Sequence, residues 1–278
     1  MQQAAKKVVV ITGGTSGLGQ AAALDFAKQG AHVIIVGRDA ARAEATRAQA
    51  STGGGAGAVD VVIGDVSTRA GAKQVADAIL QKVDRIDVLL NNAGGSFKDK
   101  ATTSDGVEAT LALNTLGAFM LERHLHAALA AAHGRIVNVA TGFLDRYPLD
   151  IGDLNGPAKY SSFTQYGRVK QASVMMTVEQ SKRLNGVSAV SVHPGIIMGT
   201  RFGGGQPKAV QAIFGPLMRA VGLACTLDEA VRRFRVASFD DLPNGSYLAN
   251  GEVAPLPKQA NDEGVRTQVW TLLEQLAA

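Results

Sequence analysis

The sequence is short of several things, and each shortage excludes a class of protein. One cysteine, Cys225, stands in 278 residues. A disulfide scaffold is therefore excluded, and a reducing compartment, the cytoplasm, is expected. No run approaches the ~18 consecutive apolar residues of a membrane-spanning helix, so no membrane span is expected. The N-terminal MQQAAKK reaches an apolar strand within a few residues, which leaves no room for a signal peptide. Net charge is small, +4, and hydrophobic residues make up 46%, which excludes a disordered chain. The pI of about 9.2 raises the question of nucleic acid. The basic residues are dispersed, however, and the densest group, Arg232, Arg233 and Arg235, is flanked by Asp228, Glu229, Asp240 and Asp241. That pattern reads as a solvated helix face, and no nucleic-acid partner is expected.

Glycine is what the chain has in excess: 32 residues, about 12% against a usual ~7%. Short β-branched runs alternate with longer Ala-rich stretches. The runs at 8–11, 32–36, 59–63, 87–90, 135–139 and 187–192 predict strands, and 17–29, 39–50, 68–83, 105–132 and 163–184 predict helices. Continuous apolar strands alternating with helices imply an α/β fold with a doubly wound parallel sheet covered on both faces. The length would hold one large domain or two small ones. No break in composition marks a linker, so one domain over 1–278 is expected. Two long irregular segments, 141–161 and 195–224, follow predicted strands and so belong at the carboxyl edge of the sheet, where ligands bind.

The first strand runs into Thr12-Gly13-Gly14-Thr15-Ser16-Gly17-Leu18-Gly19-Gln20, and a helix follows. A turn of small residues lets backbone approach a pyrophosphate, with the helix N-terminus aimed at its charge. The alternative is a glycine-rich turn without ligand, but the strand before and the helix after are the context a nucleotide site requires. At the end of the second strand an acid would bond a ribose 2′-hydroxyl, whereas arginine accommodates a 2′-phosphate. The sequence there is Val36-Gly37-Arg38-Asp39. Arg38 reaches the ribose first and Asp39 suits a helix N-cap, which favours NADP(H) over NAD(H). The other reading leaves Arg38 exposed and gives the hydroxyls to Asp39. Gly64-Asp65-Val66 offers a carboxylate near the adenine position, or a helix cap.

A second turn of small residues, Asn91-Asn92-Ala93-Gly94-Gly95, follows the fourth strand, and Ala140-Thr141 follows the fifth. Of the four tyrosines only Tyr166 has a lysine four residues on, Lys170. On a helix the two side chains converge on one ligand. A cation there favours phenolate and lowers the tyrosine pKa from about 10, making it a proton donor or acceptor near neutral pH.

T-G-x-x-x-G-x-G, N-N-A-G, Y-x-x-x-K and Pro194-Gly195, in this order after strands one, four, five and six, resemble the short-chain dehydrogenase/reductase family over nearly the whole chain. The spacing from Thr141 to Tyr166, the Asp153-Leu154-Asn155 segment and His193-Pro194-Gly195 look most like its retinol dehydrogenase and protochlorophyllide reductase branch. The resemblance implies a Rossmann-type NAD(P)-binding domain. It implies Tyr166 as acid/base, Lys170 on the nicotinamide ribose, Thr141 in place of the family's substrate-orienting serine, and Asn114 ordering a relay water. Asn114 is otherwise a polar residue on a helix surface.

The same resemblance places the cofactor on Gly13, Thr15, Ser16, Gly17, Leu18, Gly19, Arg38, Asp65, Val66, Asn91, Ala93, Gly94, Pro194, Gly195, Ile197 and Thr200; no metal is implied. His193 is left unassigned. Threonine at 141 keeps the hydroxyl but adds a methyl and stiffens χ1. The substrate is expected to be a lipophilic carbonyl or alcohol, met by Thr141, Phe143, Tyr166 and Phe202. Leu144, Tyr147, Leu149, Ile151, Ile213, Phe214, Leu217 and Met218 are further apolar candidates, and Gly203-Gly204-Gly205 could hinge the second loop as a lid. A non-catalytic NADP(H) sensor and reduction of a conjugated C=C bond are the rival readings. The family often forms homodimers or homotetramers through helices corresponding to 105–132 and 163–184, against which the segment before Tyr166 could stand.

Overall fold

The computed structural model describes residues 4–142, 144–197 and 224–278. Eight strands form one sheet in the order β10-β9-β6-β5-β4-β1-β2-β3. They are β1 (Val8–Thr12), β2 (His32–Gly37), β3 (Ala58–Ile63), β4 (Val88–Asn91), β5 (Arg135–Val139), β6 (Ser188–His193), β9 (Tyr247–Ala249) and β10 (Glu252–Ala254). Every pairing is parallel except β9 with β10. A separate two-residue ladder joins β7 (Ile196–Ile197) to β8 (Ala224–Cys225). The six expected strands are present within a residue or two of their predicted ends. The strand order reverses between β1 and β4, both neighbours of each other, and a crevice opens at such a point beyond the carboxyl ends.

Alternation along β1 divides the core. Val9 and Ile11 pack with Ala22, Ala23 and Phe26 of α1 (Gly17–Lys28) and Phe234 and Ala237 of α8 (Leu227–Phe239). Val10 points the other way, toward Val75 and Ile79 of α3 (Arg69–Leu80) and Leu121 and Leu125 of α5 (Gly117–Ala131). Each fully buried large side chain contributes roughly 1.5–3 kcal/mol. The remaining helices are α2 (Ala40–Thr52), α4 (Ala109–Leu111), α6 (Ile151–Leu154), α7 (Ser162–Arg183) and α9 (Glu263–Ala277).

Three expectations change. The helix expected over 105–132 begins at Ala109 and is interrupted by a π turn, Ala112–Leu116, between α4 and α5. The segment 141–161, expected to be irregular, is built and anchored over the residues described. It holds a 3-10 turn at Leu144–Arg146 and α6, and Asn155 Oδ1 accepts from Glu108 N at 2.9 Å. Gln165 Nε2 donates to both Glu108 Oε2 and Leu154 O at 2.8 Å. The basic group on α8 is only partly solvated: Arg233 Nη1 donates to Pro194 O at 2.9 Å and Arg235 pairs with Asp25 at 3.5 Å.

α9 of the same chain lies over α5 and α7, the helices expected to meet a second copy. Phe119 and Trp270 meet edge to face at 5.0 Å, Arg266 Nε pairs with buried Glu179 at 3.0 Å, and Leu273 is fully buried. Among the described residues, no helix is long and apolar enough to cross a membrane.

Candidate active site

The β1–α1 turn is held in a shape that only small residues permit. Gly13 (φ +67°) and Gly17 (φ +55°) occupy the left-handed region. Gly13 N and Gly14 N both donate to Val36 O, at 2.8 and 3.2 Å. A Cβ on Gly19 would collide with Gly13 O and Asn92 Nδ2. Asn92 stitches the two small-residue turns together: its Nδ2 donates to Thr12 O at 2.9 Å, and Ala93 N donates to Thr12 Oγ1 at 3.0 Å. Thr15 is buried against Gly37, whereas Ser16 and Gly17 are exposed and Leu18 packs partly into the core.

α1 has no capping side chain on Ser16 and no acid in its first turn. α2 and α3, by contrast, are capped by Asp39 and Thr68. The positive end of α1 thus faces the turn, and a Cβ on Gly17 would meet only open space. A dinucleotide fits this donor set.

At the adenine side, Asp39 Oδ1 accepts from Arg42 N at 3.1 Å, as an N-cap does, and its other oxygen pairs with Arg42 Nε at 3.0 Å. Arg38 is exposed, with Nη1 3.5 Å from Asp65 Oδ2. Asp65 caps no helix. Its Oδ1 accepts from Ser67 N and Ser67 Oγ at 2.9 and 2.7 Å. Burial would raise this carboxyl, but the two Ser67 bonds and Arg38 outweigh it and hold the pKa below the usual carboxylate range. Val66 is buried. The Asn91 side chain turns into the core, where Nδ2 donates to Asn138 Oδ1 at 2.9 Å. Asn138 in turn bonds Thr177 and Gln180, and Gln180 Nε2 donates to buried Glu122 at 2.7 Å.

The reacting end assembles where β4, β5 and α7 meet. The π turn places Asn114 so that its Nδ2 donates to Gly95 O and Thr110 O, both at 2.8 Å, while its Oδ1 accepts from Gly95 N at 3.1 Å. A Cβ on Gly94 would lie 2.6 Å from Asn114 Oδ1 and 3.4 Å from Lys170 Nζ. Asn114 and Lys170 therefore approach the same glycine, and Asn114 is buried, not a surface polar residue. π turns of this kind recur at functional sites. Ser161 caps α7, and Tyr166 and Lys170 project from its first turns.

The Thr141 hydroxyl lies near enough to the Tyr166 phenol to favour its ionised form. Lys170 Nζ donates to Val139 O at 2.6 Å and sits 5.8 Å from the centroid of the Tyr166 ring. The expected lowering of the tyrosine pKa is not what this arrangement gives. Burial pushes the Tyr166 phenol up, against a smaller lowering by Thr141, and burial brings Lys170 down to about 7. The Lys170 amine faces the Val139 carbonyl and the Tyr166 ring.

Pro194 O is held by Arg233 and by Cys225 Sγ at 3.3 Å, and Gly195 has φ +99°. Ile197 lies in β7. Thr200, Phe143, Phe202, Ile213, Phe214, Leu217, Met218 and the glycines 203–205 lie outside the described residues. Leu144 and Leu149 are buried in the core, and Ile151 packs against it. The Tyr147 ring covers Gly167.

Several residues of the site escaped the sequence: Asn92, Arg233 and the exposed aromatic Phe163, 73% accessible and three residues before Tyr166. Asn92 lay inside the N-N-A-G turn, so the signal for it was there. Tyr247, whose hydroxyl donates to Thr141 O at 2.9 Å, is 106 residues away and had none.

Comparison with known proteins agrees with this geometry. The short chain dehydrogenase family model matches residues 7–209. A Streptomyces sp. (strain C5) protein named as a daunorubicin C-13 ketoreductase is 35% identical over 95% of this chain and 90% of its own length. Mouse retinol dehydrogenase 14 is 32% identical over 96% and 85%. The crystal structure of an uncharacterized Mycobacterium paratuberculosis protein superposes with a TM-score of 0.76, at 30% identity, covering 98% of this chain and 94% of that one. The chain belongs to the short-chain dehydrogenase/reductase family, in its retinol dehydrogenase-like branch, and is an oxidoreductase acting on a carbonyl or alcohol.

Proposed function

We propose that the chain is an NADP(H)-dependent carbonyl reductase or alcohol dehydrogenase for a lipophilic small molecule, with Tyr166 as its proton donor and acceptor. The observation that carries this reading is the meeting of Tyr166, Thr141, Lys170 and Asn114 beside a glycine turn that fits a dinucleotide.

The cofactor would lie on Gly13, Thr15 to Gly19 and Arg38, with Gly94, Lys170, Pro194 and Gly195 at its nicotinamide end. It supplies the hydride when bound. Thr141 and Tyr166, neighbours at the end of β5 and the start of α7, present two hydroxyls to one substrate oxygen. In reduction Tyr166 gives that oxygen its phenolic proton; in oxidation it takes the hydroxyl proton. Lys170 and Asn114, converging at Gly94, supply the cation and the amide that a returning proton passes on its way to Tyr166.

Three features support the finer choices. Asp39 is committed to capping α2 and pairing with Arg42, which leaves Arg38 at the end of β2 for a 2′-phosphate. Phe163 and Ile196 are exposed apolar residues beside Tyr166 and the Pro194-Gly195 turn. The relatives' names carry retinol, a largely hydrocarbon alcohol, and daunorubicin, a polycyclic ketone.

Titration with NADPH and NADH tests the cofactor. Arg38→Ala is expected to weaken NADPH by about 10-fold or more, the worth of a charge-assisted bond, and to leave NADH unchanged; equal losses for both would remove Arg38 from cofactor choice. NADPH oxidation against a series of aromatic and aliphatic aldehydes and ketones tests the chemistry. Turnover favouring the larger apolar members is expected; NADPH binding with no turnover across the series would make the chain a sensor.

A further inference from the structure

Thr141 stands two residues beyond the end of β5, where the sheet no longer fixes the backbone. Ala140 N still donates to Val192 O at 2.8 Å, the last rung of the ladder. One residue later the Thr141 carbonyl is taken by a side chain from a strand two places away in the sheet, Tyr247 at the start of β9, whose Oη lies 2.9 Å from it. Tyr247 pairs in register with Ser191 of β6, so its ring crosses over β6 to reach the end of β5. The ring is buried in the same apolar cluster as Ala140, Leu144, Val169 and Met175. That burial raises its phenol to about 12, so the hydroxyl remains a donor throughout the physiological range.

The neighbouring residue is restrained from a second side. A Cβ on Gly142 would lie 3.0 Å from His193 Nε2, and His193 Nδ1 accepts from Gly195 N at 3.4 Å. Burial holds this imidazole down at about 4, with Arg233 adding to the effect. It is therefore neutral, with its proton on Nε2, when Nδ1 accepts. Thr141 and Gly142 thus leave the sheet between a phenol that holds a carbonyl and a ring that leaves no room for a side chain. A shift of the Thr141 backbone would carry its Cβ and hydroxyl away from Tyr166 and leave the Tyr247 hydroxyl without its acceptor, a cost of about 1–3 kcal/mol for a buried polar group.

We propose that Tyr247 is a positioning residue, which through the Thr141 carbonyl sets the direction of the Thr141 hydroxyl toward Tyr166. It touches neither substrate nor reacting atoms. The inference rests on the reading above that Thr141 and Tyr166 share the substrate oxygen.

Tyr247→Phe keeps the ring and removes only the donor, so the fold and the apolar cluster are retained. With NADPH and 4-nitrobenzaldehyde as probes, kcat is expected to fall about 5- to 10-fold while NADPH affinity stays within twofold. In a Thr141→Ala background the same substitution is expected to change kcat by less than twofold, because the hydroxyl it positions is gone. Equal losses in both backgrounds, or no loss in the wild type, would overturn the proposal. Hydrogen exchange of the peptide spanning 139–143 supplies a readout independent of turnover. Tyr247→Phe is expected to speed exchange there and nowhere in β1 or α1; unchanged exchange also overturns the proposal. If Thr141→Ala alone keeps the wild-type rate while exchange at 139–143 still responds to Tyr247→Phe, the catalytic reading of Thr141 has failed and the hold of Tyr247 on it has not.

Discussion

Glu122 shows how a single side chain can carry a pH dependence far from the site. It is 1% exposed, and among the described residues its side chain accepts a hydrogen bond from Gln180 Nε2. Burial raises its pKa to about 7, against smaller lowering by Gln180 and Arg123. An acid raised in the folded state holds its proton more tightly there than when unfolded. Its contribution is therefore complete below the unfolded value near 4.5 and is lost as pH rises to about 7. Glu122→Gln can still accept from Gln180 and has no proton to lose. Urea unfolding should find the variant equal to wild type at pH 4 and more stable by up to about 3 kcal/mol at pH 8. A constant difference between the two across that range would mean Glu122 is not the group responsible. The sequence offered no sign of this residue, because Glu122 sits in an ordinary helical pattern and its environment is made by Gln180, 58 residues on. Tyr166, Lys170 and Asn114 were legible for the opposite reason: their partners lie in short motifs with fixed places after strands.

The strands and most helices were legible because two-sided burial writes itself as continuous β-branched runs, as in Val33-Ile34-Ile35-Val36. The π turn was not, since Ala112–Leu116 has no composition that separates it from α4 or α5. The order within 144–161 was hidden too, because Glu108, Asn155 and Gln165 build it by contacts between distant polar side chains. The β1–α1 turn, by contrast, follows directly from its glycines. Gly19→Ala would drive a methyl into Gly13 O and Asn92, so this element should lose both its shape and its stitch to the β4 turn. The expected result is destabilisation of about 1–3 kcal/mol and at least a 10-fold loss of NADPH affinity. Thermal unfolding with and without NADPH measures both; an unchanged ligand-induced shift in Tm would show that this turn does not hold the cofactor.

Across the whole molecule, the C-terminal helix covers the face at which a second copy was expected. α9 lays Trp270 and Leu273 on α5 and α7 and joins Arg266 to Glu179. The sequence reading had those helices available to a second copy, because nothing in a local pattern says that residues 263–277 return to cover them. With that face filled, the chain is expected to sediment as a monomer near 28.8 kDa. A species of twice that mass would show either that α9 moves aside or that another face pairs. The same covering buries Glu179, on the helix that also bears Tyr166.

The central claim is that Tyr166 moves the proton in a carbonyl–alcohol conversion. Tyr166→Phe removes one oxygen and keeps the ring over which Lys170 sits. The direct measurement is NADPH oxidation by this variant with the best carbonyl substrate, alongside its NADPH affinity. The account predicts a loss of kcat of about 10²–10⁴-fold, with affinity for NADPH within about threefold of wild type. Turnover near the wild-type rate would contradict it.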